Sequence, residues 1–345
     1  MLCSTIIPTV NRPSLERAVK SVLEQDLNSG LHEIIVVNDS GQPLPEVKWL
    51  KSPQITVVNT NRCERSVACN VGAAISRGKY LKILHDDDYL LPGALRALID
   101  VAEATGCYWV YGAINRVDNN DAFISVDRPD IEGNVLSVLV GGECLHPAAS
   151  LINRQAFFEV GGFDRQLKVR EDFDLQSRLA LLSDFGRTDH LVANVRVGEQ
   201  GSTTDWSRVT QEHRQVREKT LSAAGALPRL YASVESDVFE RGHACRSILF
   251  SAVLNYKAGR FFTGCSRLLT LIRLTKLYPL KWGFWQGLKD RSHWHSVEKQ
   301  REEAHYAEHY SSSSTPPIAK PVEFVSPNSK PEVDMVLENP KQRLN

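Results

Sequence analysis

The sequence predicts an α/β fold built on a Rossmann-like, doubly wound and mostly parallel sheet with helices on both faces. Short apolar runs alternate with stretches of helical periodicity through roughly the first 200 residues, the order typical of strand–helix–strand units. Several of these runs are apolar enough to be covered on both faces, as strands of a parallel sheet are. Polar residues follow each early run, where the carboxyl ends of parallel strands form ligand sites.

The first half of this domain reads as strand, helix, strand, strand, helix, strand. Leu15, Val19 and Val22 recur at helical spacing after Ser14, a residue that can cap a helix. Gly78 is suited to stop the second helix. Strands are therefore predicted at residues 2–7, 33–39, 55–58 and 80–84, and helices at residues 15–23 and 66–77.

The second half shows the same alternation with longer connections. Residues 115–133 are polar and turn-rich, which predicts a loop or a hairpin. Residues 198–204 form a glycine-, serine- and threonine-rich stretch that is either a mobile lid or a simple linker. The remaining predicted elements are helices at 92–105, at 155–160 and from residue 171 onward, and strands at 107–111, 148–152 and 192–197.

Beyond the α/β domain the composition turns helical and then polar. Residues 244–254 and 264–278 predict a pair of helices. The six prolines and six serines from residue 311 onward predict a disordered tail. We therefore expect an α/β domain at 1–208, a helical C-terminal appendage at 209–310 and a disordered tail at 311–345.

Charge and cysteine content exclude several classes of protein. Basic and acidic residues number 41 each, so the net charge gives no indication of a nucleic-acid partner, and we expect none. The seven cysteines are scattered without a Cys-x-x-Cys pair, which argues for reduced thiols in a cytoplasmic protein and against a zinc site. We expect neither a signal peptide nor a membrane-spanning helix.

Three consecutive carboxylates, Asp86, Asp87 and Asp88, follow directly on the fourth predicted strand. They repel one another unless a positive charge lies between them, and Mg²⁺ or Mn²⁺ would suit their oxygen atoms. The alternative is a solvated acidic loop, which is the commoner role of a charge run on its own. The ends of the earlier strands favour the ligand site, since they carry polar residues that suit a nucleotide: Thr9, Asn11, Asp39, Asn61 and Arg65.

Glu171 and Asp172 form a second acidic pair at the start of a predicted helix. Such a carboxylate is either a partner of the helix dipole or a general base held at a substrate on a rigid mount. His146 lies in a loop that could face the same cleft, or it is an ordinary structural histidine. The chain has neither a Gly-x-Gly-x-x-Gly motif after the first strand nor a P-loop motif, so dinucleotide and P-loop chemistry lose their strongest support.

The order of these motifs resembles that of the family 2 inverting glycosyltransferases, which have the GT-A fold. The resemblance covers about residues 2–205 and includes Ser-Thr-Ile-Ile-Pro-Thr, His-Asp-Asp-Asp, Gly-Gly-Phe-Asp and Glu-Asp-Phe-Asp. It implies an enzyme that moves a sugar from a nucleotide-diphosphate sugar to an acceptor hydroxyl and inverts the anomeric centre. It also implies an acceptor that is a glycan, a lipid-linked glycan or another polymer.

The resemblance assigns expected roles to individual residues. Asp172 is expected to be the base that deprotonates the acceptor hydroxyl. Asp87 and Asp88 are expected to hold a divalent cation, Mn²⁺ or Mg²⁺, on the diphosphate. The contacts to the nucleotide-sugar that it implies are Thr9, Asn11, Arg12, Asp39, Asn61, Arg65 and Asp86.

Three positions depart from the family pattern. Cys69 stands where an arginine is usual, and Asn38 precedes Asp39 where two acids are common. His85 occupies the place of the first acid of the metal motif. Cys69 and His85 leave open a non-catalytic domain that binds a nucleotide-sugar or a glycan. A sugar nucleotidyltransferase is a further alternative, but it needs a glycine-rich loop after the first strand, and the sequence has no glycine there.

The segment 257–289 carries seven basic residues and no acidic one, interleaved with six aromatic side chains. Such a segment either lies in a membrane interface on anionic lipids or packs on the α/β domain with its aromatic rings buried. The first alternative predicts a cytoplasmic protein with peripheral contact to the inner face of the membrane through 257–289.

Overall fold

The computed structural model of the protein describes residues 1–129, 131–142, 144–197, 206–234, 238–276 and 278–289. The stretch predicted as a lid or linker, 198–204, and the predicted tail, 311–345, lie outside these residues. Within them the fold is the predicted α/β arrangement, with a nine-stranded sheet flanked by helices.

The elements follow one another in the alternating order that the sequence predicts. The strands are β1 Cys3–Thr9, β2 His32–Asn38, β3 Ile55–Asn59, β4 Tyr80–Ile83, β5 Tyr89–Leu90, β6 Trp109–Val117, β7 Phe123–Asp127, β8 Ser150–Asn153 and β9 Phe185–Arg196. The helices of the α/β domain are α1 Leu15–Leu23, α2 Arg65–Ile75, α3 Ala94–Thr105, α4 Leu136–Gly141, α5 Arg154–Glu159 and α6 Glu171–Ala180. The later helices are α7 Trp206–Ser222, α8 Ala226–Ser233, α9 Val238–Lys257, α10 Phe261–Thr275 and α11 Trp282–Lys289.

Strands β3, β2, β1 and β4 lie side by side in that order and run parallel, as in a doubly wound sheet. Every residue of β1 and β2 is buried, which explains why these strands are apolar on both faces. Beyond β4 the sheet continues through β8, β6, β9 and β5, with β8 antiparallel to both neighbours. Thr9 pairs with Asn38 and Asn38 with Asn59, so the carboxyl ends of three strands lie at one edge.

Three local features refine the sequence-based prediction. Residues 115–133 include a hairpin, since β6 continues to Val117 and pairs with β7. Strand β9 begins at Phe185, well before the predicted start, because its first residues pair with β6 although polar residues interrupt their apolar pattern. Ser14 precedes α1 without a side-chain capping bond, since its own backbone already has helical angles, φ −71° and ψ −18°.

Two glycines allow α2 and the start of β4 to approach β1 closely. A Cβ on Gly72 would lie 2.5 Å from Cγ2 of Ile6, and a Cβ on Gly78 would lie 2.5 Å from the backbone nitrogen of Ser4. Both distances are shorter than any ordinary contact, so a larger residue would push the backbone away from β1. The two glycines therefore fix how α2 and β4 pack against the strand that leads into the candidate site.

Helices α7, α8 and α9 pack on the α/β domain through apolar and polar contacts, and α10 and α11 pack on α9. The cluster of buried apolar residues extends from the sheet into them at Leu230, Ala244 and Ile248. Glu212 on α7 accepts hydrogen bonds at 3.0 Å from the backbone N–H groups of residues 168 and 169, just before α6. The predicted boundary between residues 208 and 209 stays a prediction. None of the described helices combines the length and hydropathy that a membrane-spanning segment needs.

Candidate active site

Side chains and backbone groups at the carboxyl ends of β1 to β4 are joined by hydrogen bonds. Asp39 donates its backbone N–H to the carbonyl oxygen of Thr9 at 2.7 Å, and Asn38 Nδ2 donates to Asn59 Oδ1 at 2.9 Å. Thr9 Oγ1 donates to Asp86 Oδ2 at 2.5 Å. Four strand ends are thus tied together at the edge of the sheet where the sequence predicts a nucleotide.

The Asp39 carboxylate holds the loop that follows β3. It accepts hydrogen bonds from Thr60 Oγ1 at 2.7 Å and from the backbone N–H groups of Cys63 and Glu64 at 2.8 and 3.1 Å. Burial on its own would raise the pKa of Asp39, but these hydrogen bonds lower it below its usual value. Asp39 is therefore a charged acceptor at neutral pH.

An open pocket of about 320 Å³ lies beside Asp39. This volume is within the range of small-molecule sites. Arg62 and Glu64 have positive φ angles, 49° and 82°, a conformation that L-residues rarely adopt and that occurs preferentially at binding sites. Asn61 is exposed beside them and pairs with Ser40 through an isolated bridge. The residues that line the pocket are Val10, Asp39, Ser40, Arg62 and Glu64.

Asp86 is buried, and both its carboxylate oxygens are bonded within the chain. Thr9 donates to one oxygen and Arg12 Nη1 to the other, each at 2.5 Å. Arg12 is half exposed and also reaches Asp87 Oδ2 at 3.5 Å. Asn11 is exposed, with a left-handed φ of 65°, and its N–H donates to Thr9 Oγ1 at 2.8 Å. In this conformation Asp86 positions Thr9 and Arg12, while Arg12 and Asn11 face solvent.

His85, Asp87 and Asp88 form a cluster that could hold a metal ion. Each offers one ligand atom, and the three atoms lie within 4.8 Å of one another. Asp88 is buried; its Oδ1 accepts from the N–H of Arg196 in β9 at 3.1 Å, and its Oδ2 has no hydrogen-bond partner among the described residues. A buried carboxylate oxygen without a donor is unfavourable unless a cation or a proton compensates it. The residues therefore fit a divalent cation.

Burial controls the protonation of this cluster. Burial and the charge of Asp87 raise the pKa of Asp88 to about 8, so that its carboxyl keeps a proton at neutral pH unless a cation is near. Burial and the positive charges of Arg65 and Arg12 lower the pKa of His85 to about 3. The His85 ring is therefore neutral at pH 7, which is the form that ligates metals.

The N-terminus of α6 brings Glu171 and Asp172 to Arg65. Arg65 Nε donates to Glu171 Oε1 at 2.7 Å, and Nη2 forms an ion pair with the same oxygen. Glu171 is buried, whereas Asp172 is half-buried and its Oδ1 accepts from the N–H of Phe173 at 2.7 Å. The charge of Arg65 acts on both Asp172 and His85, so this arginine lies near both α6 and the candidate metal site of His85, Asp87 and Asp88. Asp172 is thus a partly exposed carboxylate at the start of a helix.

Glu171 makes the stability of the protein depend on pH. Burial raises its pKa to about 7, with repulsion from Asp172 adding to this effect and attraction to Arg65 opposing it. Since the folded-state pKa lies above the ordinary value of 4.5, the contribution to stability is complete below pH 4.5 and is lost as the pH rises through 7. We expect Glu171→Gln to remove this loss, which is at most about 3 kcal/mol.

Urea denaturation at a series of pH values measures this effect. The unfolding free energy of the wild type should fall more steeply between about pH 4.5 and 7.5 than that of Glu171→Gln. Glu46→Gln, which changes an exposed carboxylate, is the matched control and should follow the wild type. Equal slopes in all three proteins would mean that Glu171 titrates as an ordinary glutamate.

Two further motif stretches have structural roles that the hydrogen bonds reveal. Asn70 in α2 donates its amide to the carbonyl oxygen of Phe163 and accepts from the N–H of Phe163, both at 2.9 Å. Arg178 in α6 donates to the carbonyl oxygen of Gly162 at 2.7 Å. The Gly-Gly-Phe-Asp turn is thus fixed to both α2 and α6, and it positions the helix that carries Asp172.

Cys69 and His146, two residues that the sequence singles out, lie beside the site. Cys69 is buried in α2, and burial raises the pKa of its thiol to about 12. The thiol is therefore neutral at pH 7 and supplies no positive charge in place of an arginine. The ring of His146 meets that of His85 edge-on, with centroids 6.2 Å apart. His146 Nδ1 accepts from the N–H of Ala148 at 3.2 Å, which is a structural hydrogen bond.

Lys82 and Arg196 lie near Asp88, and neither is among the residues that the sequence predicts for the site. Lys82 in β4 is fully buried, and its Nζ donates to the carbonyl oxygens of Ala148 and Ser150 at 2.5 and 2.9 Å. Burial lowers the pKa of Lys82 to about 7, although the interactions with Cys3 and Asp88 oppose the shift. In the sequence, Lys82 could have been recognised because a lysine rarely occurs within an otherwise apolar strand. Arg196 supplies a backbone N–H to Asp88, which no side-chain motif reveals.

Comparison with known proteins identifies relatives of the α/β domain. Residues 4–160 match the family described as Glycosyl transferase family 2. An uncharacterized glycosyltransferase of Haemophilus influenzae is 27% identical over 183 residues, covering 52% of this chain and 62% of that protein. Poly(ribitol-phosphate) beta-N-acetylglucosaminyltransferase TarP of Staphylococcus aureus is 30% identical over 115 residues, covering 32% of this chain and 35% of TarP. Both matches span less than two thirds of the relative's own length.

Solved structures share the fold of the chain. S. aureus TarS 1-349 in complex with UDP-GlcNAc aligns with a TM-score of 0.53 and 15% identity, covering 88% of this chain and 92% of that one. The same segment in complex with UDP aligns with a TM-score of 0.53 and 14% identity, covering 79% and 91%. Identities this low establish the fold alone, and the predicted GT-A fold is confirmed.

Proposed function

We propose that this chain, whose residues 4–160 match the family described as Glycosyl transferase family 2, transfers a sugar from a nucleotide-diphosphate sugar to an acceptor hydroxyl with inversion. The proposal is supported by two groups at the carboxyl ends of β1 to β4 and a third on α6, to which Arg65 is hydrogen-bonded through Glu171. These are the pocket beside Asp39, the cluster of His85, Asp87 and Asp88, and Asp172 on α6. Each group meets one requirement of the reaction: nucleotide binding, charge neutralisation and proton removal.

The nucleoside is proposed to occupy the pocket beside Asp39. The charged Asp39 carboxylate can accept from a base N–H or a ribose hydroxyl, because its Oδ2 carries one hydrogen bond and retains a lone pair. Arg12 and Asn11, which face solvent beside Asp86, are suited to donate to the sugar-diphosphate. Thr9 and Asp86 would position this loop rather than contact the donor in the present conformation.

Asp87 and Asp88 are proposed to hold Mn²⁺ or Mg²⁺, with His85 as a nitrogen ligand. When bound, the cation would neutralise charge that develops on the β-phosphate as the nucleoside diphosphate leaves. The neutral ring of His85 favours Mn²⁺, because Mg²⁺ prefers oxygen ligands. The N–H of Arg196 fixes the orientation of Asp88 and leaves its Oδ2 free for the cation.

Asp172 is proposed to accept the proton of the acceptor hydroxyl. Inversion needs a single displacement, in which the hydroxyl oxygen bonds to the anomeric carbon while the bond to the β-phosphate oxygen breaks. The proton moves to the Asp172 carboxylate on the side opposite the leaving group. Helix α6, which carries Asp172, is held in place by two arginines. Arg178 donates to the Gly-Gly-Phe-Asp turn, and Arg65 donates to the neighbouring Glu171.

The comparisons guide the choice of donor and acceptor. The TarS neighbour is in complex with UDP-GlcNAc, and TarP is named as an N-acetylglucosaminyltransferase with a polymer substrate. We therefore propose UDP-GlcNAc as the first donor to test. The proposed acceptor is a glycan, a lipid-linked glycan or another polymer, which would place the reaction in polysaccharide biosynthesis. All seven cysteines are free, which supports a reducing, cytoplasmic compartment.

A donor-hydrolysis assay across UDP-, GDP- and dTDP-sugars, with Mn²⁺, Mg²⁺ or EDTA, tests the proposal. We expect release of uridine diphosphate from a UDP-sugar, faster with Mn²⁺ than with EDTA. Donor binding without nucleotide release, also in the presence of acceptor glycans, would point to a non-catalytic binding domain. Synthesis of a nucleotide-sugar from a sugar phosphate and a nucleoside triphosphate would instead indicate a sugar nucleotidyltransferase.

A further inference from the structure

Helix α10 buries Leu274 and one arginine on its inward face and exposes several large apolar side chains on its outward face. Its inward face contains a buried arginine, Arg267, whose guanidinium donates to the carbonyl oxygen of Leu221 at 3.1 Å. Its outward face carries Phe262, Leu269 and Ile272, which are 95%, 58% and 66% exposed. Arg267 is compensated, because it also donates to Ser222 Oγ at 2.9 Å and lies 3.7 Å from the Glu218 carboxylate. The exposed apolar side chains are unfavourable in water, so the outward face is suited to a second, less polar medium.

Two further large apolar side chains are exposed in the chain that follows α10. Leu280 and Trp282 are 84% and 71% exposed, whereas Phe284 is buried against the other helices. The sequence leaves two alternatives for segment 257–289, namely packing on the protein or contact with a membrane. Phe284 is packed on the protein, whereas Phe262 and Trp282 are exposed. We define the outer α10 surface as Phe262, Leu269, Ile272, Leu280 and Trp282.

Positive charge surrounds the outer α10 surface. Arg273 is exposed and lies on the same helical face as Phe262 and Leu269, at a spacing of four residues from Leu269. Lys276, the residue that follows the helix, is also exposed. Lys281 is exposed between the last two members of the surface. Between residues 241 and 289 the sequence has no acidic residue and nine basic ones: Arg241, Arg246, Lys257, Arg260, Arg267, Arg273, Lys276, Lys281 and Lys289.

We propose that the outer α10 surface docks on an anionic lipid membrane, with its apolar side chains at the headgroup boundary and its cations among the headgroups. Protein surfaces that bind the membrane interface typically expose aromatic and aliphatic residues flanked by lysine and arginine. Charge decides between a membrane and a second copy of the chain, because two copies would bring like-charged surfaces together. The docking does not depend on the transfer reaction, although a lipid-linked acceptor would be presented at the same membrane.

Co-sedimentation of the full chain with vesicles tests the docking. We expect binding at low salt to phosphatidylcholine vesicles that contain about one third phosphatidylglycerol, little binding to phosphatidylcholine alone, and release on adding salt. Phe262→Ser combined with Trp282→Ser should lower the partition coefficient by at least about tenfold. Arg273→Gln combined with Lys276→Gln should lower it by about 30-fold at low salt.

Matched variants on the α/β domain serve as controls. Lys48→Gln with Lys51→Gln removes two exposed cations, and Ile124→Ser removes an exposed apolar side chain, so both proteins should bind like the wild type. Absence of binding, equal binding to neutral vesicles, or unchanged binding of both test variants would overturn the proposal. So would a vesicle-free dimer, seen by sedimentation velocity, that Phe262→Ser with Trp282→Ser dissociates.

Donor hydrolysis by the same variants in the absence of vesicles separates this proposal from the proposed function. The test variants should hydrolyse the donor at the wild-type rate, because their changes lie on exposed residues outside the candidate site. A wild type that binds vesicles but hydrolyses no donor would leave the docking intact and contradict only the proposed reaction.

Discussion

Asp172→Asn is expected to lower the rate of sugar transfer by about 10²- to 10⁴-fold while donor affinity changes by less than about threefold. An amide has the shape of the carboxylate but cannot take the proton of the acceptor hydroxyl. The fold should persist, because the amide oxygen can still accept from the N–H of Phe173. Steady-state transfer kinetics and calorimetric titration with the donor measure the two quantities separately.

Asp26→Asn is the matched control for this variant, since it makes the same change at an exposed carboxylate far from the strand ends. It should transfer sugar at the wild-type rate. If Asp172→Asn were equally active, the base would have to be another group, and Glu171→Gln would be the next variant to measure. A joint loss of transfer and donor affinity would instead indicate that Asp172 binds the donor.

The place of the candidate site follows from the sequence because parallel strands share one carboxyl edge. Strands β1 and β2 are predictable, since each is an uninterrupted β-type run buried on both faces. Once they are placed, Thr9 and Asp39 must lie near each other, and the backbone bond between them at 2.7 Å follows from the register. The sequence alone therefore predicts that the residues at the ends of these strands lie close together.

The pairing of side chains within the site does not follow from the sequence. Asp86 is bonded to Thr9 and Arg12, whereas its neighbour Asp88 keeps an oxygen without a hydrogen-bond partner among the described residues. Two aspartates of the same acidic triplet thus differ in role, because one is bonded to β1 and the other to β9. Local patterns carry no information on such contacts, which depend on elements far apart in the chain.

Helix α10 illustrates a further limit of sequence patterns. Apolar and polar residues occur on both of its faces, so the pattern alone does not say which face is inward. The usual assumption would bury Leu269 and expose Arg267, and the structure has the reverse. Arg267 is inward because it satisfies the carbonyl oxygen of Leu221 near the end of α7.

Asp88→Asn is expected to abolish the dependence of donor binding on Mn²⁺, because the metal-ligand cluster loses one of its two carboxylates. The amide oxygen can keep the hydrogen bond from the N–H of Arg196, so the loop should retain its conformation. A cation on a departing diphosphate contributes several kcal/mol to the transition state, and kcat/KM should therefore fall by at least about 100-fold. Donor titrations with Mn²⁺ and with EDTA measure the change in binding.

Thermal denaturation gives a second signature that is independent of activity. Without metal, Asp88→Asn should unfold at the wild-type temperature or above it, because the substitution removes a carboxyl group whose charge is disfavoured by burial. At Mn²⁺ concentrations of about 100 Kd, the wild type should gain about 2.7 kcal/mol of stability, and Asp88→Asn should gain almost none. A misfolded variant would be less stable under both conditions, so the two explanations are distinguishable.

Asp100→Asn, an equivalent change at an exposed position on α3, should keep the full response to Mn²⁺. Asp87→Ala should also weaken metal-dependent donor binding, since Asp87 supplies the other carboxylate of the cluster. If Mn²⁺ raised the Tm of Asp88→Asn as much as that of the wild type, Asp88 would not be a ligand. The unpaired Oδ2 would then be explained by the proton that burial already favours, and His85 with Asp87 would remain as the ligand pair.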